Sequence, residues 1–129
     1  MVDVTTPTHS RLMTKLKAIG PYLRDTESSE NSYLFDCFSV CVNHTKSPEE
    51  REFWGWWLEL KQDGRHFLAD YRYGLFDFEG VWLNQPIPEN IQGDVENTLI
   101  AFHRKLTTTL NDSFDSVIEF HQNTEVQPA

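Results

Sequence analysis

Basic residues are in short supply in this 129-residue sequence, which carries 11 lysines and arginines against 20 aspartates and glutamates, a formal net charge of −9. A negative field of this size repels phosphate, so sequence-independent binding to nucleic acid is not expected. No apolar run is long enough to cross a bilayer, and the N-terminus lacks the charged-then-apolar pattern of a signal peptide. We therefore expect a cytoplasmic protein that does not insert into a membrane.

Cysteine is scarce as well. Cys37 and Cys41 lie in one run that is typical of a strand, where their Cα atoms would be roughly 13 Å apart. A disulfide needs Cα atoms within about 7 Å, and a single zinc ion binds each sulfur at only about 2.3 Å. We expect two reduced thiols that pack as small apolar side chains.

The patterns that usually accompany catalysis are missing. The five histidines do not have the spacing of a helical metal site, no glycine-rich strand-to-helix turn is present to hold phosphate, and no serine lies in a nucleophile elbow. Carboxylates are abundant, but nothing selects two of them as a working pair. The sequence predicts no enzyme, no metal site and no other cofactor.

Aromatic residues are what the chain has in excess, because three of its four tryptophans lie between Arg51 and Trp57. Alternation along a strand would turn Trp54 and Trp56 to one face and Phe53 and Trp57 to the other. Either helices cover both faces, or one aromatic face stays exposed as a protein-binding surface. Arg51 either pairs with a neighbouring glutamate or binds a carboxylate of the partner through two hydrogen bonds.

Two helices are predicted near the two ends of the sequence. The first begins at Arg11, is capped by Ser10 and ends at Gly20 and Pro21. The second begins after Gly93 with Asp94 as its cap. Its apolar residues recur at steps of three and four, at Val95, Leu99, Phe102, Leu106 and Leu110.

The region between the helices predicts strands. Residues 33–43 are apolar on both faces and indicate a central strand. Residues 53–62 and 65–76 predict a hairpin that closes at Asp63 and Gly64 and places Leu60 opposite Phe67. Residues 81–83 form a further short strand, and Gly55 is a candidate for a bulge. Residues 47–50 have the sequence of a capped helical turn, which would hold the next residue, Arg51, at its end.

These elements indicate an α+β fold, with a mostly antiparallel sheet of about four strands and two main helices packed against it. We expect residues 1–129 to form a single domain. Its ordered core would span about residues 10–110, and both ends would be loose.

Several segments, in order from about residue 10 to about residue 110, resemble the Crl family of bacterial sigma factor-binding proteins. The segments are Gly20-Pro21-Tyr22-Leu23-Arg24, Phe35-Asp36-Cys37, Val40-Cys41-Val42-Asn43, Arg51-Glu52-Phe53-Trp54-Gly55-Trp56-Trp57 and Tyr73-Gly74-Leu75-Phe76-Asp77. The tryptophan-rich segment is the most specific of them, because tryptophan is rare.

The resemblance implies a regulator that binds domain 2 of the stationary-phase sigma factor and promotes its assembly with core RNA polymerase, without sequence-specific binding to DNA. It also implies a sigma-binding cavity formed by Tyr22, Arg51, Phe53 and Trp56. The supporting positions would be Asn43 and Trp82, and a possible polymerase contact comes from Arg11 and Arg24. We expect a monomer.

The shared cavity conflicts with strand alternation, which separates Phe53 from Trp56 unless Gly55 forms a bulge or the strand begins after Phe53. Two other functions stay open at this point. One is a small-molecule-binding domain or enzyme that uses the aromatic cavity, and the other is a module for an unrelated acidic partner.

Overall fold

Two helices cover one face of a five-stranded sheet in the computed structural model, which describes residues 7–122 and residue 124. The elements in chain order are α1 (His9–Ala18), β1 (Ser32–Cys41), a 3-10 turn (Pro48–Glu50), β2 (Phe53–Asp63), β3 (His66–Phe76), β4 (Trp82–Leu83), α2 (Glu89–Phe114) and β5 (Val117–Phe120). The strand order is β1-β2-β3-β4, all antiparallel, and β5 runs parallel to the first half of β3. The predicted α+β class is confirmed.

Helix α1 begins earlier than the sequence indicated. The side chain of Thr8 accepts a hydrogen bond from the backbone N–H of Arg11, so Thr8 is the cap and Ser10 lies within the first turn. Leu12 and Leu16 are fully buried under the sheet. Thr8 thus takes part in the helix, and residues 1–6, which were predicted to be loose, lie outside the described part.

Helix α2 begins at Glu89, immediately after Pro88, and not at the predicted cap Asp94. Proline before the first turn costs nothing, because the N–H groups of that turn have no partner within the helix. Gly93 therefore lies inside the helix. The predicted apolar stripe is confirmed, since all five of its residues are buried, and Phe114 extends it by one turn.

Regular secondary structure continues past residue 110, the predicted end of the ordered core. Asp115 ends α2 in the left-handed conformation with φ 49, and its N–H donates to the carbonyl of Asn111. Strand β5 follows and pairs with His66–Ala69 of β3. Of the residues predicted to fray, 123 and 125–129 lie outside the described part.

Strand β1 is at the edge of the sheet, so its predicted central position is wrong. Its free edge is partly covered by a short backbone segment, where the N–H of Arg24 donates to Leu34 and the N–H of Asp36 donates to Tyr22. The strand is apolar on both faces because its inner face lies under the helices and Phe38 on its outer face joins an aromatic cluster.

The pairing of β2 with β3 is shifted by two residues from the predicted register. The turn consists of Gly64, with φ 64, and Arg65, and Leu60 lies opposite Ala69 where Phe67 was predicted. A change of two residues leaves every side chain on its original face. The predicted inner face therefore holds, although the predicted pairs do not.

The bulge lies in β1 and not at Gly55. Phe38 pairs with Gly55 and Val40 pairs with Trp54, so Ser39 is the extra residue. Gly55 also pairs directly with Gly74 of β3. A methyl group at Gly55 would overlap the carbonyl oxygen of Cys37 on the neighbouring strand. Glycine at position 55 is therefore required by the close approach of β1.

A polar pair between buried Tyr71 and half-buried His103 joins β3 to α2. The hydroxyl of Tyr71 is 2.7 Å from Nδ1 of His103, and the ring of Phe120 stacks on the same imidazole at 5.1 Å. Burial raises the pKa of Tyr71 and lowers the pKa of His103. The hydroxyl of Tyr71 therefore keeps its proton and donates a hydrogen bond to Nδ1 of neutral His103.

We expect Gly55→Ala to destabilise the fold by about 1–3 kcal/mol, because the added methyl group collides with backbone that cannot move aside freely. Gly93→Ala is the matched control. It is exposed in a helix, has no atom within 4 Å of the added Cβ, and should stabilise by about 0.5–1 kcal/mol. Urea denaturation of both variants measures the difference, and equal shifts of the two midpoints would contradict the close approach.

Acidification should weaken the fold through His103. Because the folded pKa lies below the ordinary value of about 6.5, the unfolded chain takes up the proton first. The stability contributed by neutral His103 is complete above about pH 6.5 and is lost as the pH falls through the folded pKa. His103→Gln keeps an acceptor for Tyr71 but cannot titrate. Its unfolding free energy should therefore fall less steeply than that of the original chain between pH 7 and 5, and identical slopes would refute this role.

Candidate functional site

Five aromatic rings meet on the face of the sheet that neither helix covers. We call them the outer cluster, and they come from four different strands: Phe38, Phe53, Trp57, Phe76 and Trp82. Ring centroids are 4.3 Å apart for Phe38 and Phe76, 5.4 Å for Phe38 and Phe53, and 4.8 Å for Trp57 and Trp82. Phe76 also meets Trp82 edge to face at 5.2 Å. Such contacts stabilise each pair by about 0.5–1.5 kcal/mol beyond area burial.

The two tryptophans of the outer cluster pack directly against the backbone at Gly55 and Gly74. A Cβ at Gly74 would come within 2.9 Å of the Trp57 ring, and one at Gly55 within 3.2 Å of the Trp82 ring. The indole N–H of Trp82 donates to a carboxylate oxygen of Asp36 at 3.3 Å. The paired glycines thus let both rings approach the backbone, and Asp36 fixes the orientation of Trp82.

The rim of the outer cluster is apolar and solvent-exposed. Large hydrophobic side chains that are exposed in the described part are Phe38 at 43%, Val42 at 47%, Phe78 at 59%, Val81 at 51% and Val117 at 51%. All but Val117 belong to the cluster or to the chain segments next to it. Clustered exposure of this kind marks an interaction site, whereas single exposed residues do not.

A cleft of about 230 Å³ opens beside Trp57 and Trp82. Its polar wall consists of Arg24, Glu27 and Asp36, with the guanidinium of Arg24 bonded to both carboxylates. Arg24 is therefore engaged within the chain.

Arg51 stands at the start of β2, next to Phe53, and is held by the preceding loop. Its Nε donates to the carbonyl of Lys46 at 2.9 Å, and one terminal nitrogen donates to the carbonyl of His44 at 3.2 Å. The side chain of Asn43 shapes that loop by accepting from both the N–H and the hydroxyl of Thr45. Within the described part, Arg51 forms no ion pair with a neighbouring glutamate, and its remaining N–H groups are available to a partner.

Tyr22 and Trp56 lie on the other side of the sheet. Trp56 is fully buried between Tyr22 and Phe102, at 5.8 and 5.0 Å, and its indole N–H donates to the hydroxyl of Thr98 at 3.1 Å. Tyr22 is half-buried above it. Pairing is unbroken from Phe53 to Trp57, so Phe53 and Trp56 point to opposite faces. The bulge that could have brought the two rings together lies in β1, and the sigma-binding role of Tyr22, Arg51, Phe53 and Trp56 stays a prediction.

The two residues assigned to a polymerase contact also lie apart. Arg24 is at the cleft on the outer face, whereas Arg11 is on α1 with its guanidinium 5.3 Å from the Phe114 ring centroid. They do not form one surface.

Other chemistry is poorly supported within the described residues. Both cysteines are free, and burial raises the pKa of the Cys37 thiol, which keeps it protonated and unreactive. No three histidine, cysteine or acidic residues of the described chain could hold a metal ion together. Neither helix in this part is long and apolar enough to cross a membrane.

Three members of the outer cluster were not singled out as binding residues from the sequence: Phe38, Trp57 and Phe76. The correct hairpin register would have found Phe76, because it lies directly opposite Phe53. Trp57 shares the face of Phe53 by alternation. Phe38 could not be placed, because its contact with Phe53 and Phe76 depends on the bulge at Ser39.

Comparison with known proteins gives the family. The family model described as "Sigma factor-binding transcriptional regulator Crl" matches residues 1–128. The chain belongs to the Crl family. A relative from Vibrio vulnificus (strain YJ016), named "Sigma factor-binding protein Crl", is 50% identical over 123 residues, covering 95% of each chain.

Two further Crl relatives carry the same name. The one from Vibrio cholerae serotype O1 (strain ATCC 39541 / Classical Ogawa 395 / O395) is 51% identical over 110 residues, covering 85% of each chain. The one from Photobacterium profundum is 41% identical over 127 residues, covering 98% of this chain and 94% of the relative. The aligned length of this last relative therefore spans nearly the whole chain.

Truncating Trp56 should damage the fold, while truncating Phe53 should not. Trp56→Ala empties a fully buried site and should cost about 3–5 kcal/mol. Phe53→Ala removes a half-exposed ring and should cost about 1 kcal/mol. Chemical denaturation followed by far-UV circular dichroism separates the two, and similar losses of stability would contradict the assignment of the two rings to different faces.

Proposed function

We propose that this chain binds a sigma factor through the outer cluster and acts as a transcription regulator without catalysing a reaction. The observation that carries the proposal is the outer cluster itself, an exposed aromatic surface with a positioned arginine beside it. Aromatic residues and arginine dominate the binding energy of protein interfaces. The family and its relatives are named as sigma factor-binding proteins, which supports a sigma factor as the partner.

The interface would combine apolar contacts with one charged contact. The rings of the outer cluster and the rim residues Val42 and Val81 would bury apolar surface of the sigma factor. Arg51 would bind a carboxylate with the N–H groups that the loop leaves unused, and Asn43 would support it by holding that loop. Trp82 would contribute directly.

Tyr22 and Trp56 would act differently from the outer rings. Trp56 supports the sheet from beneath and holds β2 in place, while half-buried Tyr22 forms part of a second depression of about 380 Å³ at the edge of β1, also lined by Phe38. A partner that covers Phe38 could reach Tyr22 around this edge. Contact with Trp56 would first require Tyr22 to move.

The finer form of the proposal concerns assembly. The partner would be domain 2 of the stationary-phase sigma factor, and binding would favour the form of sigma that joins core RNA polymerase. A ligand shifts an equilibrium only by its differential affinity for the two forms. Coupling of about 1–3 kcal/mol would raise the apparent affinity for polymerase roughly 5- to 150-fold. Arg11 or Arg24 would contact the polymerase. The protein would act in the cytoplasm as a monomer, and it would make no sequence-specific contact with DNA.

A small-molecule function is the competing proposal, and the cleft beside Trp82 is where it would act. At about 230 Å³ this cleft is smaller than typical ligand pockets of roughly 300–1,000 Å³. The exposed apolar rim is better explained by a partner with a broad surface. Saturable quenching of tryptophan fluorescence by a metabolite would favour the competing proposal.

Binding to labelled stationary-phase sigma factor, with the housekeeping sigma factor as control, tests the proposal by titration. Phe53→Ala and Arg51→Ala should each weaken binding by about 2 kcal/mol, the level expected of dominant interface residues. Higher salt should weaken the original chain more than Arg51→Ala, because the variant lacks the charge.

Two valines provide a matched pair for the same titration. Val81 and Val117 are equally exposed at 51%, but only Val81 borders the outer cluster. Val81→Ser should weaken binding, and Val117→Ser should leave it unchanged. If both variants bind like the original chain, or if no sigma factor binds at all, the outer cluster is not the interface.

A further inference from the structure

Carboxylate partners are distributed unevenly among the eleven lysines and arginines. Those with a carboxylate within 4.0 Å are Lys17, Arg24, Lys61, Arg65 and Arg72. Those without one among the described residues are Arg11, Lys15, Lys46, Arg51, Arg104 and Lys105. Lys46 and Arg51 belong to the loop beside the outer cluster, and the other four lie on the helices. In a chain with 20 acidic residues, four unpaired cations on one layer are unexpected.

The four cations flank a groove between the two helices. Arg11, near the start of α1, lies over Phe114 at the end of α2, so the helices run antiparallel. At the other end of α1 the groove widens to a depression of about 440 Å³, which we call the helix groove. Its lining residues are Ala18, Ile19, Arg104, Lys105, Thr108 and Thr109.

Helical spacing explains why the positive charge accumulates there. Arg11, Lys15 and Ala18 follow each other at steps of four and three, so Lys15 lies on the same flank of α1 as its two neighbours. On α2, Arg104 and Thr108 are four residues apart. Helix α1 contains no acidic residue, and α2 contains none between Arg104 and Asn111. The charge of the helix groove is therefore opposite to that of the chain as a whole.

We propose that the helix groove binds an acidic polypeptide segment of a second partner. The half-buried Ile19 and the methyl group of Ala18 offer apolar contact between the cations, which suits a segment that carries both carboxylates and small apolar side chains. A nucleic acid fits less well, because a duplex carries one negative charge per roughly 1.7 Å of its length and the net charge of −9 repels so dense a polyanion more strongly than a segment with spaced carboxylates. The helix groove is on the opposite side of the sheet from the outer cluster, so both surfaces can be occupied at once. This binding is independent of the sigma contact.

The test uses the full chain and a fluorescein-labelled peptide of about a dozen alternating glutamates and alanines, which is slightly longer than the 10 residues of α1. Fluorescence anisotropy at low salt should show saturable binding. Lys105→Glu should weaken it at least about tenfold, since a like charge is then placed in the groove. Thr108→Glu should weaken binding to a similar extent, although this variant keeps both Arg104 and Lys105. Lys61→Glu, an equal charge change at an exposed lysine on the sheet, should alter the affinity by less than about twofold.

Three results would overturn the proposal. Equal weakening by Lys105→Glu and Lys61→Glu would mean that only the net charge matters. Tighter binding of a single- or double-stranded oligonucleotide than of the peptide, with loss in Lys105→Glu, would make nucleic acid the ligand. Absence of saturable binding to the peptide would remove the site. Far-UV circular dichroism of each variant must match the original chain, and sigma factor binding in Lys105→Glu should stay unchanged whichever result the peptide gives.

Discussion

The close pairing of Gly55 with Gly74 is the constraint on which the outer surface of this protein depends. With no side chain at either position, β1 can approach β2 at Cys37, and the rings of Trp57 and Trp82 can lie against the backbone. Any larger residue at Gly55 would push β1 away and lift Trp82 from Asp36. The outer cluster is therefore built on the backbone of the hairpin, and rigid support of this kind keeps a binding surface preorganised without extra cost on binding.

The hairpin also places the tryptophans of one segment in two different environments, the core and the exposed outer cluster. Trp56 fills the core between Tyr22 and Phe102, whereas Trp57, its immediate neighbour, joins the exposed cluster. Alternation along an unbroken strand makes this possible, because consecutive side chains face opposite sides. A large aromatic content in so small a domain thus provides both the stability of the fold and its interaction surface.

Paired and unpaired cations occupy different parts of the surface. Most cations on the sheet are neutralised by nearby carboxylates, such as Arg72 by Asp70 and Lys61 by Glu59. Unpaired cations remain beside the outer cluster and along the helix groove. These unpaired cations lie on opposite sides of the sheet, so the acidic chain carries two separate areas of local positive charge.

The sequence by itself determined the composition of the two layers, the apolar stripe of α2 and the inner face of the hairpin. These follow from periodicity, which depends only on neighbours along the chain. Tertiary structure alone decided the hairpin register, the edge position of β1, the bulge at Ser39 and the separation of Phe53 from Trp56. Each of these depends on which backbone groups of distant segments pair with one another. A shift of two residues leaves the hydrophobic pattern unchanged, so the pattern cannot select the register. Family resemblance named Phe53 and Trp56 together, and only the fold could show that they lie on two faces.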